Sequence, residues 1–155
     1  ETCTIATAQA GTYYVLVKGY TAFSGLSITG SYTTGGGGGT TQTYTNATDY
    51  NIPDNNTTGI TSTITVSGRT GNAPSNTQVA VNIVHTYSGD LVVELVAPDG
   101  SVYTLQTQVG GSADNIVKTF TTNLSSEAIN GAWKLRAKDR ASTDTGYINS
   151  WSITM

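Results

Sequence analysis

His85 is the only histidine of the chain and Cys3 the only cysteine, so the residue types that bind zinc or attack a carbonyl are nearly absent. A zinc centre draws three or four ligands from imidazole, thiolate and carboxylate. One histidine without an HExxH pairing does not supply them, and no GxSxG elbow presents a serine nucleophile. A serine near His85 is available by chance in a chain this rich in hydroxyls. The histidine therefore reads as structural, ending an apolar alternation inward and bonding its ring nitrogens to nearby backbone. No catalytic residue is assigned. The aspartates offer a different chemistry. Hard cations take several oxygen ligands, and loops that set Asp and Asn beside glycine bring carboxylate, amide and backbone oxygens together. Four loops do so: Asp54-Asn55-Asn56, Gly89-Asp90, Ser112-Ala113-Asp114-Asn115, and Asp139 through Asp144. Calcium is accordingly the expected cofactor, with Asp54 and Asp139 first among the ligands and Asp114, Asp90 and Asp144 behind them. None of the loops has EF-hand spacing, and each aspartate can equally cap its own turn.

The elements that must position these loops are extended. From Gln78 to Gln106, Val79, Val81 and Ile83 alternate with Ala80, Asn82 and Val84, the period of a strand with one face on a core. Tyr87 to Asp90 interrupts with turn-forming residues, and Leu91, Val93 and Leu95 resume the pattern, which predicts a hairpin. Ala97-Pro98-Asp99-Gly100 predicts a second reversal before Val102, Tyr103 and Leu105. Upstream, a first strand is expected within Tyr44 to Asn51 and another through Ile60, Ser62, Ile64 and Val66. Downstream, Val117 to Leu124 reads as a strand anchored by Phe120 and Leu124, and Ser125 to Asn130 as a helical turn. Trp133, Leu135 and Ala137 share one strand face, and Trp151 and Ile153 another; both tryptophans read as core. About eight short strands with turns at this spacing predict an all-β jelly-roll sandwich over 44–155. In such a sandwich first and last strands lie side by side, so Asp54 and Asp139 are expected to converge.

Several stretches of this chain resemble one family, the P domain (P/Homo B) of subtilisin-like proprotein convertases and of many secreted bacterial proteases. The carrying residues are His85-Thr86-Tyr87-Ser88-Gly89-Asp90-Leu91, Leu95-Val96-Ala97-Pro98-Asp99-Gly100, Gly110 to Asn115, Asn130 to Leu135 with Asp139, and Asp144 to Trp151, in motif order from Tyr50 to Met155. The resemblance implies the same jelly roll. It also implies a non-catalytic carboxy-terminal region that packs on the catalytic domain of its own polypeptide, stabilises it and assists its folding. A subtilisin-like serine endopeptidase is the first parent it implies, and a thermolysin-like zinc metallopeptidase the alternative. Ser88 stands where some convertase P domains carry the arginine of an Arg-Gly-Asp-Leu run, which removes the cation from any integrin-like reading.

Residues 1–33 carry a weaker pattern. Cys3 to Ile5, Gly11 to Lys18 and Leu26 to Tyr32 are predicted as short strands, and Ala10 to Val15 with Lys18-Gly19-Tyr20 and Phe23-Ser24-Gly25 resembles the end of a bacterial pre-peptidase C-terminal domain. That gives a partial small sandwich over 1–33, a glycine-rich linker over 34–43 holding the run Gly35 to Gly39, and the full sandwich after it. A coil of about nine such residues reaches roughly 15–18 Å. The odd Cys3 suggests a partner in sequence upstream.

Composition narrows the function classes. Charged residues make up 11% of the chain and the net charge is −3, so no basic patch is available to displace counterions from nucleic acid. No run approaches the ~20 apolar residues of a membrane helix. Abundant Thr, Ser, Asn and Gly fit a secreted, extracellular β-protein. Nine tyrosines leave a second function open, a module that binds insoluble protein or polysaccharide through exposed aromatic rings, with the linker raising local concentration.

Overall fold

The computed structural model describes residues 3, 5, 12–22, 24–30 and 40–155. The chain divides into two units, Glu1–Thr33 and Thr34–Met155. In the first, the described residues form no strand, and Tyr14, Leu16 and Tyr20 are exposed. The strands expected at Gly11 to Lys18 and Leu26 to Tyr32 are therefore absent over the described positions: an alternating segment without partner strands has no ladder to join and no core to cover. The glycine run lies outside the described residues, and Cys3 is an exposed free thiol.

Among its described residues the second unit is all-β, with nine strands: β1 (Thr43–Asn46), β2 (Tyr50–Ile52), β3 (Asn56–Val66), β4 (Thr77–His85), β5 (Leu91–Val96), β6 (Val102–Thr107), β7 (Ile116–Thr122), β8 (Gly131–Asp139) and β9 (Gly146–Thr154). They form two antiparallel sheets, one in the order β1-β9-β4-β7 with β2 also on β9, the other β3-β8-β5-β6. The sandwich core follows from period-2 alternation. Val79, Val81 and Ile83 of β4 and Ile148, Trp151 and Ile153 of β9 face Leu91, Val93 and Leu95 of β5 and Trp133, Leu135 and Ala137 of β8, all buried. Burying one such large side chain contributes about 1.5–3 kcal/mol. The tryptophans also bring a polar group that needs a partner. Trp151 Nε1–H donates across the sandwich to Ser62 Oγ at 2.9 Å, and Trp133 Nε1–H to the Ile129 carbonyl at 3.0 Å.

Three expectations are corrected here. β4 and β5 are not a hairpin: β4 is flanked by β7 and β9, β5 by β6 and β8. Both edges of each strand are occupied, so the short 3₁₀ turn Ser88–Asp90 carries the chain from one sheet to the facing one. The reversal at Pro98 is the true hairpin, closed by Ala97 N–H to the Ser101 carbonyl at 2.8 Å, with Gly100 at φ 98. The first expected strand is broken into β1 and β2, both of which pair with β9. Ser125 to Asn130 forms no helical turn; Glu127 instead accepts the Ala73 N–H and Ala128 bridges to Asn72.

The sheets turn different residues outward. On the β4 sheet the outward rows read Thr45–Ser152–Ala80–Thr119 and Ser150–Asn82–Val117, with no charge among them. On the β5 sheet Arg136 sits opposite Glu94, Lys134 opposite Val96 and Lys138 opposite Val92. Lys118 lies opposite Val81 on the core side of the edge strand β7, its ammonium 4.8 Å from the Phe120 ring centre. An inward lysine on an edge strand discourages further strand addition.

Candidate functional site

The alternation that builds the core also places one polar residue at the end of two facing strands. Val79, Val81 and Ile83 lead to His85, and Trp133, Leu135 and Ala137 lead to Asp139, so both polar side chains inherit an inward position. The pairing of Leu91 with Asp139 brings the two strand ends together. His85 Nε2 stands 3.2 Å from Asp139 Oδ2, and neither side chain is exposed. Asp139 Oδ1 accepts the Ala141 N–H at 3.1 Å. Nδ1 lies 3.0 Å from the Tyr87 carbonyl and 3.2 Å from the Tyr87 N–H, donating to the first when protonated and accepting from the second when not. The His85 backbone is held as well: its N–H donates to Asn115 Oδ1 at 3.0 Å and its carbonyl accepts the Asn115 N–H at 2.9 Å. Asn115 takes a left-handed φ of 61 to do this. Gly146 closes the site from β9, where a Cβ would fall 2.5 Å from His85 Cδ2 and 2.1 Å from the Val84 carbonyl. Such a pair is a satisfied buried dyad. Its ring has no face open to a substrate, so it can order the turn after β4 but cannot relay a proton to anything outside.

Around this dyad four of the five candidate aspartates gather at one end of the sandwich. Asp90 senses the charges of Asp139, Asp144 and Asp54. Burial first, then repulsion from Asp139 and Asp144, push the Asp90 carboxyl above its ordinary range, against the opposing pull of His85. Asp144 accepts the Thr86 hydroxyl at 2.7 Å, and Asp54 accepts the Thr143 N–H at 3.3 Å. Asp114 is exposed and is not among the charges acting on Asp90. First and last strands do lie side by side, β1 and β2 both on β9, and Asp54 follows β2 just before Asn56 pairs opposite Asp139 of β8.

As a calcium site the set fits only in part. Asp139, expected among the first ligands, uses both oxygens on His85 and Ala141 and is buried. Among the described residues no three His, Cys, Asp or Glu side chains stand close enough to hold one ion. Asp54, Asp90 and Asp144 keep at least partly exposed carboxylates at the same end.

The second charged cluster, which the sequence reading did not foresee, is on the outer face of the β5 sheet. Glu94 accepts Arg136 Nε at 2.6 Å and Lys138 Nζ at 3.0 Å. Burial raises its carboxyl, but the two bonds and the cations outweigh that and hold it below the usual carboxylate range. Alternate basic residues at 134, 136 and 138 beside the Glu94 strand were the available signal.

The second unit is thus a two-sheet antiparallel sandwich with its one His–Asp pair sealed in the core. The profile of the family described as proprotein convertase P-domain matches residues 74–155, more than half of the sequence, and the chain belongs to that family. It is 62% identical over 113 residues to leupeptin-inactivating enzyme 1 of Streptomyces exfoliatus, covering 73% of this chain and 26% of that protein. It is 43% identical over 123 residues to the transglutaminase-activating metalloprotease of Streptomyces mobaraensis, covering 79% of this chain and 15% of that one. In fold it is similar to the serine protease of Aeromonas sobria solved with its chaperone, with TM-score 0.53 and 18% identity over 73% of this chain and 26% of that chain. The chain thus spans about a quarter or less of the length of these relatives.

Proposed function

We propose that this region is a non-catalytic P domain of a secreted bacterial protease, which packs on the catalytic domain of the same polypeptide, stabilises it and assists its folding. The observation that carries the reading is the sealing of His85 and Asp139: the one histidine–carboxylate pair is fully buried and fully bonded. Purified chain should therefore cleave neither peptides nor esters. Turnover that vanishes in a folded His85→Ala variant would overturn the reading. For the catalytic class, a metallopeptidase parent has support from the named metalloprotease at 43% identity. A serine endopeptidase parent has support from a fold likeness alone. Inhibition of the whole protease by a zinc chelator or by a serine-directed fluorophosphonate separates the two.

Calcium at the acidic end is a second reading, favoured by the mutual repulsion of Asp90, Asp144 and Asp54. A divalent cation would turn that repulsion into attraction. The prediction is a melting temperature raised by calcium and lowered by chelator, corresponding to about 2.7 kcal/mol at a hundredfold excess over the dissociation constant. Asp90→Asn should weaken the calcium response and, in its absence, raise the melting temperature. The sign follows from linkage. A carboxyl whose folded pKa is raised binds protons more tightly when folded, so it lowers stability as pH rises from the ordinary value near 4 through the folded value. A melting point indifferent to chelator would make these aspartates turn caps.

A further inference from the structure

We infer that the outer face of the β1-β9-β4-β7 sheet is the surface on which the catalytic domain docks, an inference that rests on the function proposed above. Four adjacent strands present rows of hydroxyl, amide and small side chains without one charge, in a chain whose other sheet carries Lys134, Arg136, Lys138 and Glu94 outward. Desolvating hydroxyls that can re-form hydrogen bonds costs far less than desolvating fixed charges, and the centres of protein interfaces are depleted in charge.

The face also has relief. The register between β4 and β9 shifts between Asn82 and Ile83, and a shallow trough of about 310 Å³ opens over Ala80, Ser150 and Ser152, walled by Thr45, Asn82 and Thr119 and bordered at the β7 edge by Lys118, the one charged residue along it. Its small floor residues leave room for one projecting apolar side chain, and Val117, 77% exposed, extends the apolar edge. At strand spacings of ~4.8 Å and rises of ~3.3 Å, four strands averaging about seven residues give a plane of roughly 400 Å², the size of one side of an inter-domain contact within a polypeptide. The occupant is thus an uncharged, hydrogen-bonding surface of the catalytic domain with an apolar knob. The relatives carry this region as 26% and 15% of a longer chain, so such a partner is tethered at high local concentration.

The test compares the thermal inactivation rate of the full-length protease with that of Ala80→Arg/Ser152→Arg, of Thr63→Arg on the opposite sheet, and of a deletion of 34–155. Purified chain carrying the same substitutions is melted to confirm folding. The expected result is inactivation at least fivefold faster for the deletion and for Ala80→Arg/Ser152→Arg, and within twofold of wild type for Thr63→Arg. A fast Thr63→Arg with a normal Ala80→Arg/Ser152→Arg overturns the face but leaves the stabilising function standing. An unaffected deletion overturns the function itself. Sedimentation of the purified chain with collagen fibrils or microcrystalline cellulose, abolished by Ala80→Arg/Ser152→Arg, would assign the face to insoluble substrate and overturn the docking inference.

Discussion

The two outer faces of the sandwich are made by the same alternation, yet one is neutral and the other carries an ion-paired cluster. On the β5 sheet, Glu94 is ion-paired to Arg136 and Lys138, and Val92, opposite Lys138 on an outward position, is only 9% exposed. Long charged side chains can shield apolar surface in this way while keeping their heads in water. On the β4 sheet, Ala80, Ser150 and Ser152 are too short to cover anything. The lesson is that one face supplies its own lid and the other leaves room for one.

Three substitutions sharpen or break this contrast, beginning with the largest effect. Leu95→Ala removes a fully buried side chain from beneath the charged face and should cost ~2–5 kcal/mol in chemical denaturation. A loss below about 1 kcal/mol would mean that the charged face holds its sheet together without the core. Glu94→Ala leaves two partly covered cations without their carboxylate. It should cost about 1–2 kcal/mol, between the values for exposed and buried pairs. Because the folded carboxyl is held below its ordinary value, this contribution is present at neutral pH and is lost as pH falls below about 4 through the folded value. Wild type and Glu94→Ala should therefore converge in stability at acid pH. Asn82→Ala, the corresponding change on the neutral face, should stay within about 0.5 kcal/mol in the purified chain. A cost as large as that of Glu94→Ala would show that the neutral face has an internal structural role.

Much of the sandwich was legible because its strands obey alternation strictly. Val81, Ile83, Leu91, Val93, Leu95, Trp133, Leu135 and Trp151, all expected inward, are buried. Sheet membership was not legible. A short polar link between two alternating segments reads as a hairpin whether the second segment pairs with the first or crosses to the facing sheet, and β4–β5 crosses. The site divides along the same line. His85 was read correctly as inward, but of its two ring nitrogens only Nδ1 meets backbone, at Tyr87, while Nε2 meets a carboxylate. Its partner Asp139 lies 54 positions away, and aspartates in loops look alike until the strand ends are brought together. The position of Asp139 two residues beyond Ala137, in phase with the buried face of β8, was the available clue.

β9 lies at the middle of its sheet, hydrogen-bonded to β1, β2 and β4, with Thr43 opposite Thr154 and Gln42 and Met155 exchanging backbone bonds at 2.8 and 2.9 Å. β1, the sandwich's first strand, thus waits more than a hundred residues of synthesis for its partner. Such long-range pairing slows folding, since loop closure precedes any stabilising contact. Until Ile148, Trp151 and Ile153 have emerged, β1 and β2 have no ladder and β4 has one open edge. The sandwich therefore assembles only after synthesis has passed its last strand, and a nascent chain stalled short of that point exposes Val79, Val81 and Ile83 to chaperones and proteases.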